Sequence, residues 1–460
     1  MSRGATDRTF RHPTIYNLYE PRPEVVQVQP AENLRDAYRA ADPRPLDGKD
    51  PYLVDLTKAR DSKATEHLRQ MIENCGDSAF SAIAFSGHRG SGKSTELKRL
   101  QESLSAHCYT LYLDVNDFLD AADVDYTDLF LLISRRLLDQ LRDDGVAING
   151  KLLKAVEEWF VSVTKETEES VKLSAGVSTE AKAGVEIPFI AKLLAKLTAD
   201  VKAGSSSKVA TRAELDRYFS ALLNNTNLLL DAACEALKGS GKASQILVVI
   251  DNLDRVPPKK SEDLFFAHGS QLHDLHCHAV YTISIDTFYS HKGIANVFPN
   301  HVILPNVKLR TGKASLDRRK EGFDALWEVV ARRVSIEKLV PQPDVVDRII
   351  EYNGGSVRQL VRLMSQAILS SQSDGKTTLD RESVDDAITA LRLDFERILS
   401  PGDYNLLARV ARSKRIEKDE QHMRLLSNTA TLEYNGKDVW HDVNPLIEPI
   451  DAFKAAKQGS

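Results

Sequence analysis

Apolar and polar positions follow two rhythms along this chain. Short apolar runs at 82–85, 109–115, 246–250, 279–285 and 301–304 have the near-continuous character of strands buried on both faces. Between several of them the spacing turns helical. Leu129, Ile133, Leu137 and Leu141 recur on one face of 126–141, and Leu68, Met71 and Ile72 on one face of 64–73. Strands alternating with helices predict an α/β fold, a five-stranded parallel sheet covered on both sides. Residues 51–55 predict a further short strand.

A long interruption, about 145–240, separates the second strand from the third. It predicts a helix over 152–166, a small-residue stretch at 173–185, an apolar but lysine-bearing segment at 187–197, a Gly-Ser-Ser-Ser break at 204–207 and a helix over 212–237. Segment 187–197 reads either as a membrane-surface or partner-binding amphipath or as an insertion helix packed on its own domain. The second is favoured, because a cationic face alone is ordinary.

After Leu309 the pattern is helical, at 323–334, 345–352, 357–370 and 381–398. Two more helices, 404–411 and 420–426, precede strands at 431–434 and 437–440 that flank Asn435-Gly436, a strong hairpin signal. Helices followed by one hairpin suggest a winged helix. The expected organisation is an arm and leading helix (1–75), a core (76–310) with the insertion, a helical lid (311–398) and a winged-helix-like domain (399–460).

Composition narrows the class. The 460 residues carry a net charge of -5, which gives no support for a chain-wide nucleic-acid surface. Cys75, Cys108, Cys234 and Cys277 form no CxxC pair, so reduced thiols are expected rather than a zinc knuckle or disulfides. Neither an apolar leader nor a run of the roughly 18–20 apolar residues needed to span a membrane is present. A cytoplasmic chain is the expectation.

The chemistry is concentrated at 87–94, GHRGSGKS, a complete Walker A loop between a strand and a helix. Gly87, His88, Arg89, Gly90, Ser91, Gly92, Lys93, Ser94 and Thr95 are the expected nucleotide-binding residues. Backbone N–H groups at a helix start hold phosphate oxygens, and glycines let the backbone approach them. Lys93 would neutralise the β- and γ-phosphates of ATP, and Ser94 would ligate Mg²⁺. Strand 246–250 ends in Asp251, placed to orient Mg²⁺, and Asp254 could hold or activate the attacking water.

With these residues the chain resembles the additional-strand P-loop ATPases, the AAA+ and STAND group. The order of elements resembles the origin-recognition and STAND branches. The resemblance implies a lid arginine that touches the γ-phosphate, here Arg358 after Gly354-Gly355, and a polar first sensor, Ser284 or Asp286. Two departures matter. Asn252 stands where AAA+ enzymes carry a glutamate, and an amide cannot take a proton. No arginine occurs between Arg255 and Arg310, where AAA+ rings carry the finger that completes a neighbour's site. Both imply a slow switch rather than a ring motor. The string 250–255, IDNLDR, is similar to the Walker B signature of KAP ATPases, whose membrane segments lie where this insertion does.

The expectation is therefore a slow Mg²⁺-dependent ATPase that signals through an effector protein in trans or as a homo-oligomer. Bacterial stress or anti-phage sensing is the setting the resemblance implies. The alternative is a DNA-binding loader using Arg409, Arg412, Lys414 and Arg415, although acids and bases are about equal in number from Glu396 onward. His273, His276, Cys277 and His278 read as a polar connection rather than a metal site. Arg318, Arg319, Lys320, Arg332 and Arg333 read as a solvated face.

Overall fold

The computed structural model describes residues 29–459 other than 77–78, 165–187, 205, 244, 314, 316 and 436–438. Strands β1 (Ala82–Ser86), β2 (Cys108–Asp114), β3 (Gln245–Asp251), β4 (His278–Ile283) and β5 (Asn300–Ile303) form one sheet in the order β2-β3-β4-β1-β5. Every neighbouring pair is parallel. Side chains alternate between two apolar layers, which is why the runs look continuous in sequence. Leu247, Val249, Ile83 and Phe85 meet Leu68 and Ile72 of α1 (Ala64–Glu73) and Leu97 and Leu100 of α2 (Lys93–Ser103). Val248, Ile250 and Ala84 face α3 (Tyr126–Asp143) and the insertion.

The insertion contains α4 (Gly150–Thr164), α5 (Phe189–Lys202), α6 (Ser206–Arg217) and α7 (Phe219–Gly239). In α5, Ile190, Leu193, Leu194, Leu197 and Val201 are buried in the same layer as the sheet, so the apolar stripe is used internally and not on a membrane surface. Lys196 pairs with Asp200 at 2.9 Å. The stretch 173–185 lies outside the described residues. The single helix expected over 212–237 is two, broken at Tyr218 with no Gly or Pro there. Tertiary contacts set the break: Arg212 and Asp216 are held by Asp128 and Tyr126, while Phe219 packs edge-on to Tyr126 and Phe130. Among the described residues no helix is long and apolar enough to cross a membrane.

A second core joins α8 (Lys320–Ala331), α9 (Asp344–Tyr352), α10 (Val357–Ser373) and α11 (Arg381–Ile398), the helices of the expected lid, to the C-terminal elements. The latter are α12 (Pro401–Ser413), α13 (Glu420–Ser427), the antiparallel pair β6 (Thr431–Tyr434) and β7 (Trp440–Val443), and α14 (Asp451–Gln458). The second hairpin strand therefore begins at Trp440, three residues after the sequence expectation; 436–438 lie outside the described residues.

The segment 29–60 packs into this core through Leu34, Ala37, Val54, Leu56 and Ala59. Residues 51–55 form no strand. Their carbonyls are taken instead by lid arginines, Pro51 and Leu53 by Arg332 and Tyr52 by Arg333. Arg319 likewise donates to the Lys58 carbonyl at 2.9 Å. The solvated-face expectation is thus overturned at Arg333, which is 3% exposed, whereas Arg318 and Lys320 pair on the surface with Asp347 and Asp324.

Candidate nucleotide site

The C-terminal ends of the parallel strands point to one edge, and β1 releases the loop 87–92 there before α2 begins at Lys93. Gly90 has φ 91°, and a Cβ on it would lie 2.8 Å from Arg358 Cβ and 2.9 Å from Ser356 Oγ. A side chain there would be strained and would push against the lid. Lys93 Nζ donates to the carbonyls of Gly87 (2.8 Å) and His88 (3.0 Å) and pairs with Asp254 Oδ2 at 2.9 Å. Burial would raise the Asp254 carboxyl, but Lys93, with Arg89 and Arg255 beyond it, holds it below the ordinary range. Asp254 is thus the counter-ion of the Walker lysine.

Asp251 ends β3, with β4 interposed between it and β1. Its carboxylate accepts from the Tyr112 hydroxyl at 2.6 Å, from the Asn252 N–H at 2.8 Å and from the Ser94 hydroxyl. Burial outweighs these bonds and leaves its pKa raised. A buried carboxylate touching a hydroxyl offers the hard oxygen donors that suit Mg²⁺, so Ser94 and Asp251 fit the expected metal pair. Burial and the Asp251 charge keep Tyr112 a protonated donor.

A cavity opens over the loop. Its floor is Gly90 and Gly92 to Glu96, and one wall carries Asn252, Asp254 and Arg255. The lid contributes Val329, Arg333, Val357, Arg358 and Val361, and the segment 42–56 closes the far side. Arg358 enters on the first turn of α10, whose N–H at Arg358 donates to Gly90 O at 3.2 Å. Burial depresses its guanidinium, with Arg255 beside it adding to the effect and Asp254 opposing it.

The sequence reading missed several participants. Arg60 is buried, bridging Glu96 Oε1 (2.6 Å) and the Ser91 carbonyl (2.5 Å), so it ties the loop to α2. Arg333 lies over the Tyr52 ring at 5.0 Å, and burial pushes it down to about 10. Thr95 Oγ1 accepts from Leu46 N–H at 3.1 Å. No local pattern marks Arg60, the burial of Arg333 or the Leu46 contact to the expected Thr95, because each joins segments distant in sequence.

The loop also touches the C-terminal hairpin. His88 is 2% exposed, and its Nε2 accepts from the Glu433 N–H at 2.7 Å. Burial, then the nearby Lys93 and His441, pushes its pKa to about 3, so it is neutral with its proton on Nδ1. Glu433 is buried beside it and pushed up to about 7 by desolvation. Among the described residues neither of its oxygens has a well-formed hydrogen bond; the Tyr289 hydroxyl and His441 Nε2, 3.7 Å away, are its polar neighbours.

Other expected groups do not converge here. Ser284 and Asp286 are buried after β4 but do not line the cavity, and Ser284 donates to Thr287 at 2.8 Å. His276 contacts Asp231, while His278 accepts from Ser81 N–H. Among the described residues the cluster of three His, Cys, Asp or Glu side chains close enough to share a metal ion is elsewhere, at Glu417, Asp419 and His422.

Residues 62–270 match the KAP family P-loop domain. That span runs from the start of α1 past Asp251 and Asp254, and so contains both halves of the phosphate end of the site. No curated protein matches the chain. Solved structures similar to it include ORC2 of Aeropyrum pernix in ADPNP–ADP complexes, at 11% identity over 91% of this chain and 96% of that one, with a TM-score of 0.40. A Walker-type ATPase of Pyrococcus abyssi is 12% identical over 91% and 99%, TM-score 0.40. Drosophila ORC bound to DNA is 10% identical over 96% of each chain, TM-score 0.39.

Proposed function

We propose that this protein is an ATP-binding, slowly hydrolysing switch that uses Mg²⁺ and passes its nucleotide state to the C-terminal hairpin. Lys93 turns from the Gly87 and His88 carbonyls to the β- and γ-phosphates while keeping Asp254 as its counter-ion, Ser94 and Asp251 hold the metal, and Arg358 meets the γ-phosphate from the lid. The base lies between the segment 42–56 and the valines of α8 and α10.

One observation carries the reading: consecutive turns of the phosphate loop hydrogen-bond both the lid, Gly90 to Arg358, and the hairpin, His88 to Glu433. Phosphates that reorganise residues 88–90 therefore change both contacts, and a ligand shifts such an equilibrium by its differential affinity for the two states. The output would pass to an effector protein or to further copies of the chain in the cytoplasm; stress or anti-phage sensing is the setting we assign to it.

The test is hydrogen exchange of the β6 and β7 amides with and without a non-hydrolysable ATP analogue and Mg²⁺. Altered protection at Glu433 that disappears in Lys93→Ala is the expected result. Binding without any change in the hairpin would sink the switch.

The loader reading keeps some support from Arg409 and Arg415, which are exposed. Lys414 is withdrawn from that set by its 2.7 Å pair with Asp442. Charge reversal at Arg409 and Arg415 should abolish salt-sensitive DNA binding if this reading is right; absence of DNA binding at low salt removes it.

A further inference from the structure

Asn252 follows the metal-side aspartate, and its backbone is left-handed, φ 66° and ψ 13°, a conformation asparagine tolerates. Its Nδ2 donates to Asp114 Oδ2 at 2.8 Å. Asp114 ends β2 and is the register partner of Asp251 across the β2–β3 ladder. The other Asp114 oxygen is engaged by Asn116, through N–H at 2.9 Å and Nδ2 at 2.8 Å. A carboxylate accepts, so the Asn252 NH₂ must face it and the amide oxygen must face away. Among the described residues none donates to that oxygen, and Asn252 lines the nucleotide cavity beside Asp254 and Arg358.

The other acids at this end are committed. Asp254 holds Lys93, and Asp251 accepts from Tyr112, Asn252 N–H and Ser94. We propose that Asn252 Oδ1 orients the water that attacks the γ-phosphate, and that Asp114 is the positioning residue that locks the amide in the required direction. This rests on the ATP-hydrolysing reading above and names the group that makes turnover possible without a glutamate. The water oxygen bonds to the γ-phosphorus while the β–γ bridging bond breaks, its electron pair leaving on ADP. One water proton passes to a γ-phosphoryl oxygen, and none to the protein. Amide orientation of water is sufficient for phosphoryl transfer in GTP-hydrolysing P-loop proteins, and the missing proton acceptor accounts for a slow rate.

The experiment is single-turnover hydrolysis of Mg²⁺-ATP by the full chain, beside ATP affinity and circular dichroism for each variant. Asn252→Gly keeps the left-handed backbone and removes the amide. Its rate should fall about 100-fold with affinity within about threefold. Asp114→Asn keeps a side chain able to cap Asn116 but removes the lock, and should cost about tenfold. The swap Asn252→Asp with Asp114→Asn restores a donor–acceptor pair and turns a carboxylate oxygen to the water. It should recover at least the wild-type rate and gain an acid limb in its pH profile, which a merely structural role would not produce. Wild-type rates in a folded, ATP-binding Asn252→Gly protein overturn the proposal, as does a swap no faster than Asp114→Asn. Wild-type protein that binds ATP but releases no phosphate overturns it and leaves the binding reading standing; protein that binds no ATP overturns both.

Discussion

On its sheet side the phosphate loop meets Asp254, buried against Lys93 at 2.9 Å and kept ionised. On its hairpin side it meets Glu433, buried to a similar degree but with no cation in reach among the described residues, and pushed up to about 7. Burial penalises both carboxylates, and the partner decides the outcome. The compensated side is costly to break, because removing one ion strands the other. The uncompensated side is held by neutral contacts whose balance changes with protonation. On the proposed reading, the rigid face would hold phosphate and the weakly poised face would respond to it.

Breaking the compensated side should give the largest effect. Arg60→Ala removes the closer of the two arginines on buried Glu96, leaving Arg99 at 3.1 Å, and should destabilise the protein by about 1.5–3 kcal/mol, measured by chemical denaturation. Arg60→Ala with Glu96→Leu should recover much of that loss. Lys93→Ala should weaken ATP binding on the order of 100-fold by calorimetry, with Asp254 left uncompensated.

The hairpin side offers a pH test. Because Glu433 has a folded pKa above its unfolded value, its contribution to stability is fully present below about 4.5 and is lost as pH rises through about 7. Glu433→Gln abolishes that loss. Its unfolding free energy relative to wild type should therefore rise between pH 5 and pH 8, by an amount on the order of 1–3 kcal/mol. His88 and His441, pushed to about 3 and about 4 by burial, lose stability in the opposite direction as pH falls, but equally in both proteins. Tyr289 also faces this cluster, and burial together with Glu433 raises its phenol far enough that it stays protonated throughout this window. A pH-independent difference would show that Glu433 is not poised. The smallest effect expected is from Gly90→Ala, about 1–2 kcal/mol, seen as faster proteolysis of the lid and hairpin if the new Cβ loosens Ser356 and Arg358 from the loop.

Much of this molecule was legible from local pattern. The five strands, helices 64–73 and 381–398, the Walker loop and Asp251 at a strand end all follow from apolar periodicity and from short motifs whose residues are neighbours in sequence. Those signals are local because backbone conformation and phosphate cradling are local. Helix 212–237 was misread as continuous because side chains of α3 and Asp128, not Gly or Pro, set its break. Residues 51–55 looked like a strand, yet lid arginines take their carbonyls before any strand could pair with them. Arg333 looked like surface, and only packing against Tyr52 buries it.

The amino-acid sequence by itself determined the α/β frame and the presence of a Walker A loop with Asp251 at the end of a buried strand. It also placed an amide after that aspartate and showed no more than that an amide cannot take a proton. Tertiary structure decided that Asn252 faces Asp114, that Arg60 and Glu96 brace the loop, and that His88 reaches a hairpin 345 residues away. Such pairings depend on chain segments that meet only after folding, and the burial that sets their charge states exists only then.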